Sequence, residues 1–347
     1  MLVLDNVTKA FKTGTFGGGT LPAVRGASFE IRPGEVTALI GESGSGKSTL
    51  GKMILRLTPV TSGTIIFEGT DIATLKGKQL REYYRHVQGV FQDPFSSYNP
   101  VYRADRVFAT IKHSYFPGVS ADEWHERVDK VLESVGLNPV DVRDKFTHQL
   151  SGGQLQRILI ARALLLDIKI LIADEIISMI DASTRVDVLN LLSNLKTRGL
   201  GVLFVTHDLS LGNYISERTI ILRRGVVVEM GATQKVFDNP QHEYTRMLLT
   251  AVPQLHKKWE GELGAGMEAT GVTSAGDGRP GRYSRSSLHP LAGMNGRKGR
   301  RAQAAAHEHD LAAGLLRTDT YLRTHEEVPP LVEIEEDHFV AISTGAK

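Results

Sequence analysis

The sequence predicts an α/β fold built around a parallel sheet, and three observations predict it. First, the apolar run VTALI (36–40) reads as a short buried strand and leads into the glycine-rich GESGSGKSTL (41–50). The overlapping TLGKMILRL (49–57) places Leu50, Met53, Ile54 and Leu57 on one helical face. Second, IKILIAD (168–174) and GVLFVTHD (201–208) read as strands separated by the helical VDVLNLLSNLKTRG (186–199). Strands that alternate with helices assemble as a parallel sheet. Third, residues 93–165 are mostly helical in pattern, broken at FSSYNP and SYFPGVS, and read as a helical insertion.

The remaining elements follow in order. Residues 2–40 read as strands and turns: LVLDNV, the glycine-rich TFGGGT, then ASFEIRPGEVTALI with a turn at PGE (33–35). TSGTIIFEGTDI (61–72) predicts a hairpin returning to this first sheet, and TIILRRGVVVEMG (219–231) a further hairpin. Composition shifts after about residue 257, where Gly, Ser and Ala dominate. The expected division is a main domain over 1–255, a poorly ordered linker over 256–316 and a small C-terminal segment over 317–347. Within that last segment VPPLVEIEEDHFVAI alternates as a strand pair would. The four basic residues Arg297, Lys298, Arg300 and Arg301 read as a solvated stretch of linker and receive no role.

Composition excludes several chemistries. Lys plus Arg number 41 against 39 Asp plus Glu, so charge alone gives no reason to expect a nucleic-acid partner. The absence of cysteine rules out disulfides, thiolate metal sites and a cysteine nucleophile. The start MLVLDNVTKAF lacks the basic-then-apolar order of a signal peptide. The most apolar run, ILIARALLLDIKILIA (158–173), is broken by Arg162, Asp167 and Lys169. The expectation is a cytoplasmic chain that reaches a membrane only through a partner.

Three motifs carry chemistry. Gly41-x-x-x-x-Gly46-Lys47-Ser48, between a strand and a helix, is the pattern of a phosphate-cradling loop. Its glycines let backbone N–H groups converge on phosphate oxygens at a helix N-terminus. Lys47 would bridge the β- and γ-phosphates, and Ser48 would ligate Mg2+. In ILIADE (170–175) a buried strand carries Asp174 and Glu175 to its carboxyl end, where Asp174 can hold the Mg2+ shell and Glu175 can act as general base. Read alone, such an acid pair is also a helix cap or a solvated turn. In LSGGQLQR (150–157), Ser151, Gly152 and Gly153 open an apolar helix and form a second anion site or simply a cap. Two phosphate-binding helix starts in one chain suggest a site shared between two chains.

The ordered set GESGSGKST, FQDP with Gln92, LSGGQ, ILIADE, SMID with Asp181 and THD with His207 resembles the ATP-binding cassette (ABC) ATPases over residues 1 to about 255. FQDPFSSYNP, ADEIISMIDASTR, NPQHEYTRMLLTAVP and PPLVEIEEDHFVA are similar to phrases of the peptide/nickel importer branch. The resemblance implies a phosphate-loop nucleotide-binding domain with an antiparallel β subdomain and a helical subdomain at about 93–165, plus a C-terminal extension. It implies a head-to-tail dimer with two ATP molecules between an identical or paralogous pair of chains, on the cytoplasmic face of the membrane beneath permease subunits. A substrate-binding protein would take part indirectly. Gly41, Glu42, Ser43, Gly44, Ser45, Gly46, Lys47, Ser48 and Thr49 would hold the phosphates. Ser151, Gly152, Gly153 and Gln154 would cap the γ-phosphate held by the partner. Gln92 would contact Mg2+ and water, Glu175 would be the base, His207 would steady the γ-phosphate and Asp181 would communicate across the dimer. Phe11 would stack on adenine, its alternative being a core residue of the first sheet, and Val24 would pack beside the ribose.

The sequence departs from the family pattern at three points. Ile176 stands where proline usually follows the base, which implies altered geometry at the strand end. Leu155 replaces the polar residue common after LSGGQ, which implies a changed outer face for that helix. The cysteine cluster found after the cassette in many members of the branch is absent. The transported solute is open among oligopeptides, oligosaccharides and nickel. The rival functions are a soluble, non-transport cassette ATPase and a regulatory ATP-binding module.

Overall fold

In a computed structural model the described residues are 1–13, 19–250 and 328–342, all within one compact unit. The chain opens with β1 (Leu2–Lys12) and β2 (Thr20–Ile31), an antiparallel pair. The fully buried β3 (Val36–Ile40) follows a tight turn at Gly34, where φ is +71°. Helix α1 (Lys47–Ile54) leads to β4 (Ser62–Phe67) and the two-residue β5 (Thr70–Asp71), which complete a four-stranded antiparallel sheet in the order β2-β1-β4-β5. The predicted hairpin therefore does return to the first sheet. Helix α1 is shorter than its pattern predicted: it ends at Ile54, and Leu57 lies beyond it, 60% exposed.

Helix α2 (Gly77–His86) runs into β6 (Val87–Val90), the outermost parallel strand. The predicted insertion is helical: α3 (Arg106–Tyr115), α4 (Ala121–Ser134), the short α5 (Pro139–Val142) and α6 (Gly152–Leu164). Alternation then resumes with β7 (Ile170–Asp174), α7 (Ala182–Thr197), β8 (Gly201–Thr206), α8 (Leu209–Ile215), β9 (Arg218–Arg223) and β10 (Val226–Ala232). Helices α9 (Thr233–Asp238) and α10 (Glu243–Thr250) precede the last hairpin, β11 (Leu331–Glu335) and β12 (His338–Ala341). The central sheet has the order β11-β12-β10-β9-β3-β8-β7-β6, parallel from β9 to β6 and antiparallel beyond.

The middle strands are buried on both faces, which explains why they read as unbroken apolar runs. Leu171, Ala173, Val202 and Phe204 face a core shared with the helical insertion, including Trp124, Leu132, Leu155 and Ile158. Their neighbours Ile170, Ile172, Leu203 and Val205 face a second core with Leu4, Ile31, Leu50 and Ile65. Each strand thus clamps the two subdomains through its two-residue alternation. The carboxyl ends of β3, β7 and β8 come out side by side, and ligand sites of open α/β sheets form at such ends. The expected linker at 256–316 lies outside the described residues.

Candidate nucleotide site

The loop after β3 is shaped from below. Two of its glycines have left-handed backbone, Gly44 at φ +77° and Gly46 at φ +109°. A Cβ on Gly46 would stand 2.4 Å from the Ala23 carbonyl, and one on Gly41 would stand 2.2 Å from that of Leu222. Ser45 binds the β9–β10 turn, its carbonyl accepting from Gly225 N–H at 2.8 Å. Gly46 caps α1, whose first residue is Lys47, so the free N–H groups of that helix end the loop.

Lys47 is buried, and its ammonium donates to the carbonyls of Gly41 (2.7 Å) and Glu42 (2.8 Å). Burial lowers its pKa, while Glu175 and Asp174 pull it back up. Ser48 Oγ donates to Asp174 Oδ1 at 3.2 Å, joining the helix start to the end of β7. Burial raises the Asp174 pKa, offset in part by the Ser48 hydrogen bond.

Glu175 departs from the strand with φ +49° while its N–H still donates to the Val205 carbonyl at 2.9 Å. Two groups face its carboxylate. Gln92 Nε2 donates to Oε2 at 2.9 Å, and His207 Nδ1 lies 3.3 Å from Oε1. Gln92 follows β6 and His207 follows β8, so the strands on either side of β7 place both groups beside one carboxylate. Ile176 is 1% exposed and packs with Ile177 and Ile180 in the core, so an apolar anchor follows the acid.

Ser151 and Gln154 form a capping box at the start of α6: Ser151 Oγ accepts from Gln154 N–H (3.2 Å) and Gln154 Oε1 from Ser151 N–H (2.9 Å). Asp181 caps α7, accepting from the Thr184 N–H at 3.0 Å and its hydroxyl at 2.9 Å. Thr184 also closes on Gly153, where a Cβ would stand 2.6 Å from Thr184 Cγ2. The two helix starts are therefore packed together, and Thr184, which the sequence reading passed over, is what joins them. Its signal was the spacing Asp181-x-x-Thr184 of a cap.

Three expectations need correction or sharpening. Val24 is fully buried in the core beneath Gly46 and offers no surface to a ribose, because β2 turns that side chain inward under the loop. Leu155 is also fully buried, so it fills the core face of α6 instead of changing an outer face; it shares its stripe with Ile158 and Leu159. Phe11 is 41% exposed near the end of β1, with Lys9 Nζ 5.0 Å from its ring centroid, and is not a core residue. Sequence reasoning also missed Tyr244, whose hydroxyl accepts from the Glu42 N–H at 3.2 Å beneath the phosphate loop. The sequence offers no sign of this contact beyond the place of Tyr244 in the phrase NPQHEYTRM.

A phosphate loop, an acid pair at the adjacent strand end and flanking glutamine and histidine define a nucleotide-hydrolysing cassette. A model of the family described as ABC transporter matches residues 24–178, and one described as the oligopeptide/dipeptide transporter C-terminal region matches 228–277. The chain is 41% identical over 254 residues to a Brucella abortus protein whose name assigns it to ATP binding in peptide import, covering 73% of this chain and 78% of that one. It is 44% identical over 233 residues to the glutathione import ATP-binding protein of Salmonella typhimurium, covering 67% of this chain and 37% of that longer one. Among solved structures, a dimeric post-hydrolysis ATP-binding cassette bound to ADP and Pi matches with a TM-score of 0.61 at 30% identity, over 67% of this chain and 99% of that one. The cassette cbiO1 of Clostridium perfringens matches at 0.58 and 27% identity, over 73% and 95%. The chain belongs to the ATP-binding cassette transporter family and is an ATP-binding, ATP-hydrolysing subunit of it.

Proposed function

We propose that this chain powers import of short peptides, as one of two head-to-tail ATPase subunits beneath a permease at the cytoplasmic face of the membrane. The observation that carries the mechanism is the Glu175 carboxylate, held between Gln92 and His207 one residue beyond Asp174. In this reading Glu175 takes a proton from the attacking water. Gln92 and His207 orient that water and the γ-phosphate, so catalysis comes from positioning and charge stabilisation. Lys47 exchanges its two carbonyls for phosphate oxygens when ATP enters. Ser151, Gly152, Gly153 and Gln154 close the partner's site, Asp181 acts across the pair, and exposed Phe11 stacks on adenine.

Mg2+ fits the donors present. The Ser48 hydroxyl and the Asp174 carboxylate are hard oxygen ligands already 3.2 Å apart. Mg2+ would neutralise charge on the β- and γ-phosphates, with Ser48 and Asp174 holding its shell and Gln92 beside it.

Peptide cargo rests on the relatives named for peptide and glutathione import and on the matching C-terminal region. Among the described residues no helix is long and apolar enough to cross a membrane, so this reading places the pore in partner subunits. Just beyond Gln92, Phe95 (50%), Val101 (74%) and Tyr102 (43%) expose apolar surface suited to a permease contact. Affinity capture of the tagged chain from detergent-solubilised membranes tests the assembly. Polytopic permease subunits are expected in the eluate; capture of soluble proteins alone would count against an importer.

A further inference from the structure

We infer that Tyr244 is a positioning residue for Lys47, acting through the peptide group between Gly41 and Glu42. That peptide is gripped on both sides. Its carbonyl, that of Gly41, accepts from Lys47 Nζ at 2.7 Å. Its N–H, that of Glu42, donates to the Tyr244 hydroxyl at 3.2 Å. A planar trans peptide points these two groups in opposite directions, so fixing the N–H fixes the line along which the carbonyl meets the ammonium.

Tyr244 is itself held firmly, being 1% exposed with the Arg223 guanidinium 5.0 Å from its ring centroid. Its N–H donates to His242 Nδ1 at 3.1 Å, and the His242 N–H donates to Glu229 Oε2 at 3.0 Å. Glu229 is completely buried, and its Oε1 lies 2.8 Å from Nε2 of equally buried His338 in β12. Hydrogen bonds thus tie the C-terminal hairpin to the Tyr244 backbone, and the rigid ring carries that hold on to the hydroxyl at the phosphate loop. The buried Glu229–His338 pair anchors one end of this tie, and a satisfied buried pair favours one arrangement. In this arrangement the resting loop keeps Lys47 buried and aimed along the loop until phosphate oxygens replace the two carbonyls.

The inference rests on the reading of Lys47 as the phosphate ligand, and the experiment separates the two. Steady-state ATPase of the assembled transporter is compared for the parent, Tyr244→Phe and Lys47→Ala, with ATP binding and thermal melting of each purified chain. Tyr244→Phe keeps the ring and the Arg223 contact. It is expected to melt close to the parent, to raise KM for ATP about three- to tenfold, the worth of one hydrogen bond, and to change kcat less. Lys47→Ala is expected to lose ATP binding. If Lys47→Ala binds ATP as the parent does, the phosphate-loop reading itself fails. If Lys47→Ala loses binding while Tyr244→Phe keeps the parental KM, even with a lower melting temperature, Tyr244 is only structural and the inference is overturned. Should Tyr244→Phe not fold, amide hydrogen exchange of the nucleotide-free parent decides: slow exchange at Glu42 is expected, and exchange at open-loop rates overturns it.

Discussion

Asp174, the proposed Mg2+ ligand, is a group whose burial costs the nucleotide-free fold stability. Its pKa is raised chiefly by burial, so the folded chain holds that proton more tightly than the unfolded chain. The sign follows from linkage: where the unfolded state binds fewer protons, stability falls as pH rises from the ordinary carboxylate range through the raised value. Asp174→Asn removes the penalty and can still accept from Ser48. The nucleotide-free variant should therefore melt above the parent at neutral pH, with the gap closing in mild acid, while Mg2+-dependent turnover falls about 10- to 100-fold. Differential scanning fluorimetry across pH checks this, and a variant that melts lower at neutral pH would contradict it. At this scale local motifs at strand ends pointed to Lys47, Ser48, Asp174 and Glu175, while Gln92 and His207 were picked out only by the family resemblance. Val24 and Leu155 were misplaced because their directions are set by packing against distant elements, which no local pattern encodes.

Among the elements, the strand–loop–helix unit at 36–54 depends on backbone that only glycine tolerates. Gly46 combines a left-handed φ with a carbonyl 2.4 Å from where a Cβ would stand, and that carbonyl is main chain and cannot swing aside. Gly46→Ala should destabilise the chain by about 1–3 kcal/mol, read as a lower urea midpoint at unchanged slope, and should abolish ATP binding. A folded variant of parental midpoint would mean that β2 yields more easily than its buried neighbours allow. Element types were legible because period and breakers decide them: the alternating strands, the helical insertion and the three hairpins follow from pattern. The ends were less so. α1 stops at Ile54, where the Leu55 N–H still bonds the Gly51 carbonyl, and the chain leaves through Arg56 at φ +53°. The apolar Leu57 extended the pattern without extending the helix.

For the molecule as a whole, the central sheet orders the chemistry. With β6, β7 and β8 adjacent and parallel, Gln92, Glu175 and His207 must come out at the same edge, although 115 positions separate the first from the last by their numbering. That convergence was legible only through the family resemblance, since nothing local links the three. The tie from the C-terminal hairpin to the phosphate loop was not legible at all, because Tyr244 and Glu42 lie 202 residues apart and meet through tertiary packing. The most direct test of the account is turnover of Glu175→Gln in the assembled transporter, alongside its ATP binding. The amide keeps the size of the side chain and removes the base, so ATP binding should persist while turnover falls about 10²- to 10⁴-fold. Hydrolysis by Glu175→Gln at the parental rate would show that the carboxylate held by Gln92 and His207 is not the group that activates water.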